Sequence, residues 1–413
     1  MEKIVALVSA APQARSANDD DFADRLSSRY SVVLLVVFAV VVSANQYIGS
    51  PITCWAPVHF TGSHTKFATS FCWVRNTYYL PWDDQVPYAH EDEKRQTVTY
   101  YQWIPFILLG QAILFYLPTI IWHGLNSKAG VDADNILECA HSFSRAEKIE
   151  NRERTLRLLT NQMDRFLKSR DQDENDGCHC DLKHLLSATC CRICGRRLGN
   201  YLVILFMVSK VFYIANAIGQ LFVLSEILSI SYSNYGFDVM SGMVADHDWT
   251  ESAHVAFPRV TFCDFDVRRL GNVHRYTVQC VLPLNLYNEK IYMFIWFWLI
   301  FVAVVSMLSF FVWLIRFLFR SDRRMFINNH LKMGDKVFDK NDKKLCNKFL
   351  NNYLKQDGAF LLRLIAHNTN SITTTEVTCA ISRSPHPLHS IISLTVTCPA
   401  VKMYLCDARS TVA

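Results

Sequence analysis

The chain has 413 residues, 51% hydrophobic and 13% aromatic, with 19% charged and a net charge of +5. The apolar residues are not scattered as in a soluble core; they gather in four uncharged or nearly uncharged blocks, each of the roughly 20-residue length that carries a helix across about 30 Å of hydrocarbon. A large soluble protein is excluded, and the small positive charge reads as a membrane-topology signal, with no nucleic-acid partner implied.

In chain order, the opening MEKIVALVSAAPQARSANDDDFADRLSSRY has acidic residues throughout and no apolar core followed by a small-residue cleavage site. It is not a signal peptide, and residues 1–29 are expected to be a cytoplasmic N-terminal segment. YSVVLLVVFAVVVSANQYI predicts a first span over 30–48. Residues 49–100 follow as an outer loop, whose Pro, Gly and aromatic content suits a compact fold. Its acidic runs Asp83-Asp84 and Glu91-Asp92-Glu93 are either solvated surface or an attraction for cations.

The second span, 101–123, opens YYQWIPFILLGQAILFYLP. Pro105 is cheap near the helix start, whereas Pro118 lies deep enough to bend it. Gln111 at mid-membrane faces protein or water, through an interhelical hydrogen bond or a pore lining. After a charged loop over 124–200, the third span covers 201–230. On it Lys210, Tyr213, Asn216 and Gln220 share one arc of about 120° at helical spacing. That stripe meets another helix or an aqueous path, and a buried lysine calls for a carboxylate or water.

An outer segment over 231–288 contains VTFCDFDVR and RYTVQCVL flanking RLGNVH, a β-hairpin pattern with one cysteine on each strand. The fourth span covers 289–317, and 318–413 is the C-terminal region. Lys and Arg settle the sides. The 49–100 loop has Lys66, Arg75, Lys94 and Arg95, the 231–288 segment has Arg259, Arg268, Arg269 and Arg275, and the 124–200 loop has thirteen. That loop and both tails are therefore cytosolic, and the run RFLFRSDRR after the last span agrees.

Cys54 and Cys72 in the first outer loop and Cys263 and Cys280 in the second are expected to form two disulfides in an oxidising compartment, with three pairings open. On the cytosolic side, Leu156, Leu159, Met163, Phe166 and Leu167 recur at helical spacing among charges, and Leu345, Phe349, Leu350, Tyr353 and Leu354 repeat the pattern up to Gly358. FLLRLIAHN adds a further short helix. The segment from Cys178 to Cys194 superficially resembles a zinc cluster, but its C-x-C then C-x-x-C spacing lacks the repeated C-x-x-C of a finger or ribbon; reduced thiols are the leading reading, with S-acylation of Cys190, Cys191 and Cys194 beside the third span and zinc as the alternatives. There is no GxSxG, HExxH or GxxxxGK string; no catalytic residue, resident metal or cofactor is expected. The fold class is an all-α membrane protein, a four-transmembrane-helix bundle with disulfide-pinned extracellular loops holding a small β-hairpin, and a helical cytoplasmic layer.

DDDFADRLSSRY, QYIGSPITCW, YYQWIPFILLGQAILFYLP, the two cysteines of each outer loop and DGAFLLRLIAHNTNS together resemble the innexins, invertebrate gap-junction proteins, from about residue 1 to Ala380. The resemblance implies a plasma-membrane channel subunit, joined with identical or different innexin-like subunits in a ring that docks to a ring of the adjacent cell. It implies an N-terminal segment at the pore mouth, from Met1, Glu2 and Lys3 to about Asn18, and a path beyond it near Gln46 to Ser50. It also implies the disulfides Cys54–Cys280 and Cys72–Cys263. The low-charge tail 381–413 departs from the family pattern. A large-pore channel that never docks and a non-conducting four-span adhesion protein are the alternatives. Neither outer loop has an Asn-x-Ser/Thr sequon, so no glycan there opposes docking.

Overall fold

A computed structural model describes residues 21–81, 96–126, 133–172, 199–244, 257–334 and 346–382. Met1, Glu2, Lys3, Asn18, the acidic runs of the first outer loop, the Cys178–Cys194 segment, Leu345 and residues 383–413 lie outside them. Helix α1 is Phe22–Tyr47, with a π-helical turn at Leu26–Tyr30. Strand β1 (Thr53–Trp55), helix α2 (Gly62–Arg75), β2 (Thr77–Tyr79) and β3 (Gln96–Val98) follow. Next come α3 (Ile104–Asn126), α4 (Ala133–Arg145), α5 (Ile149–Gln172), α6 (Tyr201–Leu228) and α7 (Tyr232–Val244). The chain continues through β4 (Val260–Arg269), β5 (Asn272–Val281), α8 (Pro283–Leu318), α9 (Arg320–Gly334), α10 (Lys355–Asn368) and α11 (Ser371–Ser382).

Helices α1, α3, α6 and α8 are long and apolar enough to cross a membrane, and their ends differ from the expected spans for identifiable reasons. Helix α1 starts before residue 30 because the charge of Asp24 is met by Lys210 and does not stop it. Tyr100–Gln102 form a 3₁₀ turn, so α3 starts at Ile104, with Pro105 in the first turn where no N–H donor is needed. Ser229, at φ 53°, ends α6 in a left-handed conformation. Helix α8 has 36 residues, about 54 Å at 1.5 Å per residue, longer than the hydrocarbon. Its first turns are polar and tied down: Asn285 donates to the Pro258 carbonyl at 2.8 Å, and Glu289 accepts from Arg259 at 2.8 Å.

The described residues fall into two units. The first draws on the described residues up to Arg25, those within Thr119–Val211 and those from Met307 on. Its core joins Ile136, Leu137 and Ala140 of α4 with Leu159, Met163 and Leu167 of α5, Leu361, Leu364 and Ile365 of α10, and Val377 and Ile381 of α11. The apolar stripe of α5 thus becomes one wall of a helical layer. Arg152 of α5 clasps Glu376 of α11 through two bonds of 2.9 and 3.0 Å, and Tyr353 donates to Asp164. The helical pattern does not end at Gly358. The break falls at Lys355, φ 51°, and Gly358 sits buried in α10, where a Cβ would lie 2.9 Å from Leu354 Cδ2 and 3.2 Å from Leu167 Cδ2. The tail boundary also shifts, since Ile381 is a core residue of α11.

The second unit draws on Leu26–Pro118 and Phe212–Ser306. One core lies among its apolar helices, with Leu35, Ala39 and Val42 of α1, Leu108 and Phe115 of α3, Leu221 and Leu224 of α6, and Tyr292, Ile295, Trp296 and Leu299 of α8. A smaller core lies under a five-stranded antiparallel sheet of order β1-β5-β4-β2-β3. Ile52, Ala68, Phe265, Val278 and Leu282 fill it.

Candidate functional site

The sheet interleaves the two outer segments: β4 and β5 are a hairpin of the second, and β1 and β2 of the first pair with its two outer edges. The hairpin turns at Leu270–Gly271, where Gly271 takes φ +81°, a conformation that glycine adopts without steric cost. Register places Cys54 opposite Cys280, and a disulfide joins them. Cys72, on α2, is bonded to Cys263 of β4. Helix α2 is opened by a reciprocal capping box between Thr61 and His64, which sets the helix direction that brings Cys72 over the sheet.

The sulfurs of Cys54, Cys72 and Cys280 lie within 4.8 Å of one another. The two bridges are therefore neighbours in one buried core, and their sulfurs are spent on covalent bonds and not available as thiolate metal ligands. The bridges close loops of 226 and 191 residues, where the chain-entropy model gives at most about 5 kcal/mol each for an unconstrained chain. Asp264 adds a polar clamp, accepting from Arg275 at 2.7 Å and from Tyr78 at 3.1 Å. Burial pushes the Asp264 carboxyl up, but the bonds from Arg275 and Thr277 and the charge of Arg275 outweigh it, and its pKa is lowered. At the tip, Leu270 and Val273 are exposed.

A second arrangement lies in the first unit. Lys210 is 1% exposed, and its Nζ donates to Asp21 Oδ2 at 3.1 Å, Asp24 Oδ1 at 2.9 Å and Ser309 Oγ at 2.9 Å. Asp21 also accepts from Ser309 at 2.6 Å and from Trp313 Nε1 at 3.1 Å, and lies 3.2 Å from His367 Nε2. Burial pushes the Asp21 carboxyl up, yet the His367 bond, the Lys210 charge and the Ser309 and Trp313 bonds hold it well below the usual carboxylate range. This cluster fastens the start of α1 to α6, α8 and α10. It offers no nucleophile or general base beside a reactive centre; its capacity is to hold the chain next to the N-terminal segment in place.

The other sequence-predicted positions are distributed. Gln46 is buried and donates to the Tyr101 carbonyl at 2.8 Å, whereas Ser50 is exposed. Pro118 lies inside α3. Gln111 is 4% exposed, and neither of its amide atoms has a hydrogen-bond partner among the described residues. Gln220 donates to Asn216 at 3.3 Å, so these two amides of the stripe meet each other, and Lys210 meets carboxylates. Sequence reasoning did not single out Asp21, Asp24, Ser309, Trp313 or His367. The available signal was the DDDFADR run before the first span together with a buried lysine lacking a counter-charge.

A family model described as Innexin matches residues 20–384. Innexin unc-9 of Caenorhabditis elegans is 36% identical over 359 residues, 87% of this chain and 90% of that protein. Innexin-3 of the same species is 36% identical over 358 residues, covering 87% and 82%. Innexin-19 of Caenorhabditis briggsae is 31% identical over 381 residues, covering 87% and 84%. With four membrane-capable helices and two disulfides, the chain belongs to the innexin family of gap-junction channel subunits.

Proposed function

We propose that the chain assembles with identical or related subunits into a plasma-membrane ring that docks, through its disulfide-bonded sheet, to a ring in the apposed cell. Ions and small metabolites then pass down their gradients through the joined pore, with no covalent chemistry. One observation carries this reading: both outer segments are built into a single crosslinked sheet whose β4–β5 tip is exposed. A surface fixed in this way loses little further entropy on association.

Met1, Glu2, Lys3 and Asn18 are assigned to the pore mouth by the family resemblance, and the Asp21 cluster supplies the fixed point next to them. Ser50 lines the path beyond, and Gln46 positions that stretch through its bond to the Tyr101 carbonyl. Gln111, Pro118, Asn216 and Gln220 shape the packing of the spans. The test is Cys54→Ser combined with Cys280→Ser, followed by dye transfer between paired cells and by surface labelling. Transfer should be lost with the protein still at the surface; undiminished transfer would overturn the role of the sheet.

A further inference from the structure

At the end of the fourth span the sequence RFLFRSDRRMFINNHLKMG has Asp322 as its sole acidic residue among several arginines. The structure commits that carboxylate elsewhere: Arg363 of α10 donates to Asp322 and, at 3.5 Å, to the Arg316 carbonyl, with its guanidinium 5.2 Å from the Phe326 ring. Arg316 lies over Trp313 at 5.3 Å. Arg323, 8% exposed, has an Nε with no hydrogen-bond partner among the described residues. Its own burial and the positive charges of Arg320, Arg363 and Arg324 lower its pKa. A cation buried among cations, with a donor unused, is incomplete without an anion.

We propose that Arg320, Arg323 and Arg324 form a binding site for the phosphate headgroup of an anionic lipid of the cytosolic leaflet. Two observations select a lipid, and the chemistry of its headgroup agrees with them. The site starts two residues after a membrane-capable helix that ends at Leu318. Arg316, Arg320 and Arg324 are exposed and are interleaved with exposed Leu318, Phe319 and Met325, the pattern of a surface whose apolar side chains reach the acyl boundary while guanidinium groups stay at headgroup level. Guanidinium forks match phosphate oxygens in pairs, and juxtamembrane basic clusters on the cytosolic side attract anionic lipid.

The experiment titrates the full chain, purified in detergent, with short-chain phosphatidylinositol bisphosphate, phosphatidylserine, phosphatidylcholine and free inositol trisphosphate, measuring affinity and melting temperature. The bisphosphate lipid should bind most tightly and phosphatidylcholine not measurably. R320Q/R324Q should weaken it by about thirtyfold, whereas R154Q/R157Q, at exposed arginines of α5, should not change it. Unchanged affinity in R320Q/R324Q would overturn the site, and free inositol trisphosphate binding as tightly as the lipid would overturn the lipid assignment. R323Q separates a structural role: loss of lipid-induced stabilisation with an unaltered ligand-free melting temperature supports the proposal, and a lowered ligand-free melting temperature with unaltered affinity refutes it.

Discussion

Lys210 illustrates how a membrane-embedded charge is tolerated. Its ammonium has two carboxylates and a hydroxyl within hydrogen-bond distance, so the pair is compensated where either partner alone would be costly. Lys210→Met leaves the buried Asp24 carboxylate without its ammonium and removes one of several partners of the half-buried Asp21, and should destabilise the first unit by about 3–5 kcal/mol, seen as a large fall in the melting temperature of the purified protein. A melting temperature within error of the parent would refute the cluster's role. The need for a counter-charge was legible from a lysine in an apolar block. Its identity was not, because Asp21 and Asp24 lie 189 and 186 positions away in the chain and periodicity relates only near neighbours.

Asp264 gives a pH prediction at the same scale. Its folded pKa is depressed, so its stabilising contribution is full above the unfolded value of about 3.9 and is lost only as pH falls through the lower folded value. The clamp should therefore hold under extracellular acidification from neutral to about pH 5, well above both values. Asp264→Asn should cost about 1–2 kcal/mol at neutral pH, and the difference from the parent should shrink below about pH 3. Thermal melts of the two proteins across pH check this; a difference that vanishes already near pH 6 would contradict it.

At the scale of elements, strong period and turn chemistry were readable, and features set by contact were not. The apolar stripe of α5 and the β4–β5 hairpin follow from spacing and from the glycine turn. Helix α4 carries Ile136, Leu137, Ala140 and Phe143 on its buried face, a spacing obscured by the charged loop that contains it. Helix α2 has no wide apolar stripe and depends on its capping box and the Cys72 bond. Gly358 has the appearance of a helix stop, yet its use is close approach to Leu354 and Leu167. Gly358→Val should overpack that contact by about 1–3 kcal/mol, measured by thermal melting, and a neutral result would show that α5 and α10 yield there. Truncation after Ser382 should leave the melting temperature unchanged, whereas truncation after Ala380 removes buried Ile381 and should lower it. Equal melting temperatures would place Ile381 outside the cooperative core.

For the whole molecule, the four membrane-capable helices were visible in the distribution of apolar blocks, and the Lys and Arg distribution is what the cytosolic placement of the 124–200 loop and both tails rests on. The pairing of Cys54 with Cys280 and of Cys72 with Cys263 was not fixed by residue spacing and entered through the family resemblance; the sheet that unites the two outer segments depends on pairings between β1 and β5 and between β2 and β4, distant in sequence. The central claim is that this sheet joins channel rings of two cells. Its most direct test is junctional conductance between two apposed cells that both express this chain with any subunit it requires, recorded beside whole-cell current in each cell alone. Junctional current should appear between the paired cells and disappear when Cys54 and Cys280 are replaced by Ser. Whole-cell current without junctional current, from protein confirmed at the contact, would contradict it.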